Sequence, residues 1–241
     1  MQSPFANMPP VVKNLLIINV IFYIAVRALP SLPLVAWFSA FYLDSQHFKA
    51  WQPLTYLFMH DPANILHIVF NMFALVMFGS IVEQSLGFKR FVEFYFITGI
   101  GALALYMAVQ AFEVHGILGA FTLPGGKFGS SLTDADLANI NPVALKKVFD
   151  IYRTPILGAS GAIFGILVAF AYLFPNIELM IMFIPVPVKA KYIVPIYIVL
   201  ELFLGVKQYA GDSVAHFAHL GGALFGFILL KIWGYKSYGN F

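Results

Sequence analysis

The 241-residue chain is 61% hydrophobic and 10% charged, whereas soluble domains are roughly 45–50% apolar and about 25% charged. A soluble fold of this size would expose too much apolar surface, so the composition points to a membrane protein whose surroundings are a lipid bilayer. The net charge of +3 forms no basic, aromatic-interleaved block that would attract nucleic acid, and the absence of cysteine removes disulfides, cysteine nucleophiles and thiolate metal sites.

Six stretches are apolar enough to be spans of a roughly 30 Å hydrocarbon core: 14–30, 63–83, 89–112, 156–174, 191–206 and 213–233. The first follows Lys13 without a small-residue cleavage site and reads as an uncleaved signal anchor. The loop at 31–62 carries Trp37, Phe38, Phe41, Tyr42, Phe48, Trp51, Tyr56 and Phe58, too aromatic for water, so part of it belongs in the headgroup layer. The loop at 113–154 opens on Leu123-Pro124-Gly125-Gly126 and continues polar from Ser130 to Asn141. It then offers a short amphipathic helix from Pro142 to Tyr152, with Val143, Val148 and Ile151 on one side, as either a surface insertion or a docking element. With no internal repeat, the expectation is one all-α membrane domain over 1–241, a six-helix bundle with a partly embedded first loop. Lys and Arg fall almost evenly on the two sides, so charge leaves the orientation open.

Polar groups are costly in hydrocarbon, and those inside spans are functional candidates by default. His67 and Asn71 lie four positions apart on one face of the second span. Ser160 opens the fourth within Gly158-Ala159-Ser160-Gly161, and His219 lies near the start of the sixth in Ala218-His219-Leu220-Gly221-Gly222. Spans two, four and six begin on one side of the membrane. That puts His67, Ser160 and His219 roughly 6 to 9 Å below one surface, with Asn71 a turn deeper. Gly161/Gly165 and Gly222/Gly226 are Gly-x-x-x-Gly pairs that let helices approach closely, and Ser160 and His219 adjoin them.

A serine and a histidine at such a contact suit acyl transfer, with Ser160 as nucleophile and His219 as general base. The acids in the spans are Glu83, Glu93 and Glu201. The first two fall at the opposite membrane face and no third catalytic carboxylate is evident, so a dyad is expected. His67, Asn71 and the Ser160 backbone N–H are candidate donors to the oxyanion. His216, three residues before His219, lacks a His-Glu-x-x-His context and reads as a capping or interfacial residue; no metal or cofactor is expected. The other reading of the polar groups, as the lining of a small transporter, lacks an inverted repeat.

These motifs closely resemble those of the rhomboid intramembrane proteases: His-x-x-x-Asn at His67/Asn71, Gly-x-Ser-Gly at Gly158–Gly161, and Ala-His-x-x-Gly-x-x-x-Gly at Ala218, His219, Gly222 and Gly226. The resemblance covers about 14–233. It implies a serine endopeptidase cutting single-span membrane proteins in or near their membrane segment. It also implies a bacterial inner membrane, a cytoplasmic N-terminus, a site opening to the extracytoplasmic side, and residues 191–206 with the loop to Ser213 as gate and cap. Phe164 matches the position whose aromatic packs on the catalytic histidine, often Tyr in the family. Gln52 follows Trp51 where many bacterial relatives have Arg, and Glu83 matches a structural position after the second span. Within such a family, a catalytically inactive membrane-protein binding module is the alternative to a protease.

Overall fold

A computed structural model describes residues 8–122, 141–180, 187–207 and 216–239. These residues are mostly helical. Helix α1 (Pro10–Ala28) begins on a proline, whose fixed φ and missing N–H suit a first helical turn. The first loop contains α2 (Leu34–Phe38), α3 (Gln52–Thr55) and a 3₁₀ turn at Tyr56–Phe58. Next, α4 (Ile65–Ala74), capped by the Asn64 side chain, runs through a π-helical turn at Leu75–Gly79 into α5 (Ser80–Leu86), giving 22 continuous helical residues. Then come α6 (Phe88–Leu118), α7 (Pro142–Arg153), α8 (Ser160–Leu173), strands β1 (Glu178–Met180) and β2 (Pro187–Lys189), α9 (Ala190–Lys207) and α10 (His216–Ile232). The two strands pair antiparallel, Leu179 opposite Val188.

Among the described residues, α1, the α4–α5 segment and α6 are long and apolar enough to cross a membrane, and α8 and α10 are shorter apolar helices of 14 and 17 residues. Helix α9 has 18 residues, including Lys191, Glu201 and Lys207. α10 packs chiefly against α8 and α6. Large fully buried rings include Phe91, Phe94 and Tyr95 near the start of α6, Phe170 near the end of α8, Tyr56 of the first loop and Tyr152 of α7.

The first helix begins at Pro10 rather than 14 and the second runs to Leu86 rather than 83, and two further boundaries differ in ways that bear on packing. The fourth apolar stretch becomes helical only at Ser160, because the residues before it are drawn into an extended run by the paired backbone bonds Ala40 N–Ile156 O (2.9 Å) and Ile156 N–Ala40 O (2.8 Å). The third runs six residues past its expected end at 112, to Leu118, where Gly119 closes it in the left-handed conformation. At 1.5 Å per residue, its 31 residues reach about 46 Å, well beyond a roughly 30 Å hydrocarbon core.

The extension of α6 explains α7. Val114 on α6, Tyr42 of the first loop, and Val148, Ile151 and Tyr152 of α7 form a separate apolar cluster. The Lys147 ammonium meets the Glu113 carboxylate at 2.9 Å beside it. The Tyr152 hydroxyl donates to Asp44 (2.7 Å), and the Ser45 hydroxyl donates to the Tyr152 carbonyl (2.6 Å). The helix therefore packs on α6 and the first loop. Val143 is a correction, being 79% exposed at the first turn rather than on the packed side. The Gly/Pro and polar stretch at 123–140 lies outside the described residues.

At the other end of the molecule, buried Glu83 accepts from the Val11 and Val12 N–H groups at 2.9 and 2.8 Å. A carboxylate there satisfies two orphan donors at the start of α1 and complements the helix dipole. Charge-assisted bonds of this kind contribute roughly 1.5–3 kcal/mol each. Glu83→Ala should therefore lower the thermal midpoint of the purified protein in detergent by several degrees. An unchanged midpoint would remove this tie from the account of the fold.

Candidate active site

Ser160 is the first residue of α8, so its N–H belongs to the first turn, where helical donors lack intrahelical partners. The chain reaches it through Gly158, whose φ of +124° is a conformation L side chains rarely adopt. The Gly158 N–H is held by the Tyr56 carbonyl (3.0 Å), and the buried Tyr56 hydroxyl donates to the Gly99 carbonyl on α6 (2.6 Å). The first loop thus positions the turn that carries Ser160. It does so while exposing Trp37 and Trp51 and burying Phe41, Tyr42 and Tyr56. Gln52, fully buried, anchors the loop by donating to the Ala36 and His47 carbonyls (3.2 and 3.0 Å) and accepting from the Lys49 N–H (3.0 Å).

His219 projects from α10 so that its Nε2 lies 2.9 Å from Ser160 Oγ. The approach is set by backbone contact: a Cβ on Gly222 would overlap the Gly161 carbonyl, and one on Gly226 would lie 2.8 Å from the Gly165 Cα. Phe164, one turn beyond Ser160, stacks on the imidazole with ring centres 4.2 Å apart and planes within 6°. Any rotation of the ring about its Cβ bond would break that stack.

His67 faces the same turn. A Cβ at Gly158 would lie 2.9 Å from His67 Nε2 and 3.8 Å from Ser160 Oγ. The Asp61 N–H approaches His67 Nδ1 at 3.4 Å, which favours the tautomer carrying its proton on Nε2, toward Gly158. Asn71 Nδ2 donates to the His67 carbonyl at 2.7 Å, so one of its two N–H groups is engaged within α4.

The expectation of a histidine without an acid needs correction. Glu201 of α9 is 3% exposed, and its Oε2 lies 2.9 Å from His219 Nδ1 and 2.7 Å from His216 Nδ1. His216 is therefore joined to the site rather than merely capping a helix. The sequence reading counted Glu201 among the acids in the spans but gave it no partner, because α9 has no motif fixing its depth. The available signal was its place on the buried stripe of Ala190, Val194, Glu201 and Gly205, the seam by which α9 joins the bundle. Glu201, His216 and His219 also offer three ligand atoms within 4.8 Å of one another, a donor set of the His/carboxylate kind. In this geometry both Nδ1 atoms converge on one oxygen at hydrogen-bond length.

Several apolar helices long enough to cross a membrane, with a serine and a histidine from different helices in contact, define a multi-pass membrane protein. A Rhomboid domain model matches residues 47–236, and the chain belongs to the rhomboid family. It is similar to an uncharacterized mitochondrial rhomboid protein of Schizosaccharomyces pombe, 29% identical over 210 residues, covering 78% of this chain and 52% of that protein. It is also similar to the mitochondrial RHOMBOID-like protein 12 of Arabidopsis thaliana, 29% identical over 171 residues, or 70% of this chain and 42% of that protein. RHOMBOID-like protein 6 of the same plant, also mitochondrial, matches at 39% over 57 residues, 24% of this chain and 18% of its own length. The chain thus spans about half the length of the first two relatives.

His60, just before α4, is buried at 1% exposure and meets His67 edge to face, 5.1 Å between ring centres. Burial, then the proximity of His67, lowers its pKa from 6.5 to about 3. Between those values the unfolded chain binds a proton that the folded chain refuses, so the neutral ring's full stability is present above about pH 6.5 and is lost as the pH falls. Thermal midpoints should decline from pH 7 to pH 5, by the equivalent of about 2 kcal/mol. His60→Phe should flatten that decline; an equal pH dependence in both proteins would exclude His60 as its source.

Proposed function

We propose that the chain is a serine endopeptidase that cleaves membrane-spanning segments of membrane proteins, with Ser160 as nucleophile and His219 as general base. The observation that carries this reading is the 2.9 Å approach of His219 Nε2 to Ser160 Oγ. Such a bond is what nucleophilic activation requires. Ser160 Oγ adds to the peptide carbonyl as its proton passes to His219 Nε2. The tetrahedral intermediate collapses, and the proton goes to the leaving amine. Water, deprotonated by the same nitrogen, then releases the acyl group and restores the serine.

The oxyanion would be met by the Ser160 N–H, by His67 Nε2–H and by the second N–H of Asn71, each positioned donor contributing roughly 3 kcal/mol in the transition state. Gly158 leaves the space this anion occupies, while Gly161, Gly222 and Gly226 keep the two helices close and Phe164 holds the imidazole plane. Cleavage also requires a substrate helix to unwind, because helical carbonyls and N–H groups are occupied by one another.

The site would open toward the face where α4, α8 and α10 begin, with α9 as the lateral gate; the loop to Ser213 lies outside the described residues. A bacterial inner membrane draws no support from the relatives, which are mitochondrial by name, and the reading is of a multi-pass protein of a bilayer. Ser160→Ala and His219→Ala should each reduce cleavage of a single-span substrate in proteoliposomes by at least about 10³-fold, with thermal midpoints retained. A fluorophosphonate probe should label the wild type at Ser160. Full activity in either variant, or labelling that persists in Ser160→Ala, would refute the assignment.

A further inference from the structure

The carboxylate behind His219 asks for a reason. An ionised side chain buried among apolar helices costs several kcal/mol unless it is paired and hydrogen-bonded. Along the seam of Ala190, Val194 and Gly205, an apolar residue would pack without that cost. Packing therefore does not account for Glu201. Its partners do: both are imidazoles, and one is the proposed base.

We infer that Glu201 is a positioning residue for the proton transfer, fixing the tautomer and orientation of His219, and that His216 keeps its carboxylate ionised by donating to the same oxygen. This rests on the Ser160/His219 reading. A carboxylate can only accept hydrogen bonds, so contacts at 2.7 and 2.9 Å require a proton on Nδ1 of each imidazole. A neutral His219 protonated on Nδ1 presents a lone pair on Nε2, the atom facing Ser160 Oγ. When the serine proton arrives there, the resulting imidazolium lies against an anion. The proton stays on the imidazole, because Glu201 already receives a second donor from His216 and has no need to take it. Phe164 fixes the plane of the ring, and Glu201 fixes which edge faces the serine.

The test uses the full chain, purified in detergent and returned to liposomes, with a single-span peptide substrate and the fluorophosphonate probe. Glu201→Gln should lower kcat by about 10- to 100-fold, the usual effect of losing a carboxylate behind a functional histidine, with KM changed less than about twofold. Glu201→Asp should recover part of the loss, and His216→Gln should cost less than Glu201→Gln. Wild-type kcat in a folded Glu201→Gln, or no rescue by Asp, overturns the inference while leaving the Ser160/His219 assignment standing, provided the wild type is labelled at Ser160. Labelling elsewhere would instead sink the assignment itself. If Glu201→Gln does not fold, nitrogen-15 histidine spectra of the wild type decide. Two low-field Nδ1 protons are expected, with His219→Asn removing one; their absence overturns the inference.

Discussion

The contact of Gly161 with Gly222 sets the separation of two helix backbones, and that separation decides whether an imidazole on one reaches a hydroxyl on the other. A side chain at Gly222 would occupy the Gly161 carbonyl. Ser160 precedes Gly161, and His219 lies less than one turn before Gly222, so both side chains leave their helices beside the point of closest approach. A bond of 2.9 Å there is a consequence of helix packing. Membrane helices lack a hydrophobic drive toward one another, and small residues permit the contact that replaces it.

The serine's position has a second source. The strand-like entry to α8, bridged to Ala40 and held at Gly158 by the Tyr56 carbonyl, ties Ser160 to the first loop, and Tyr56 ties that loop to α6. The buried amide of Gln52 organises the same loop from within. A segment that looked interfacial by composition is thus also a brace, with its tryptophans outward and its tyrosines inward.

Much of this was legible in the residues because motif and depth agree. His67, Ser160 and His219 lie near the starts of alternate apolar segments, and the glycine pairs mark the face on which helices meet. Four things were not legible, the extended entry to α8 bridged to Ala40 among them. The extension of α6 to Leu118 was hidden by Glu113 and His115, which look like loop residues until α7 supplies a partner for the first. Val143 shared a side with Val148 on paper but precedes the docked turns. Glu201 is the instructive case, since its role depends on which helix lies beside α9, a non-local fact that periodicity along one helix does not contain.

Among the described residues, helix α9 buries a stripe of Ala190, Val194, Glu201 and Gly205, and the charged member of that stripe is the group bound to His219. With Glu201 as the positioning residue inferred above, attachment of α9 and orientation of His219 are the same contact. Were α9 to swing aside for an entering helix, the carboxylate would leave His219 and the imidazole would lose its enforced tautomer until the seam closed again. As a positioning residue, Glu201 would make the seam a catch: closing it orients His219, and parting it lets the ring turn.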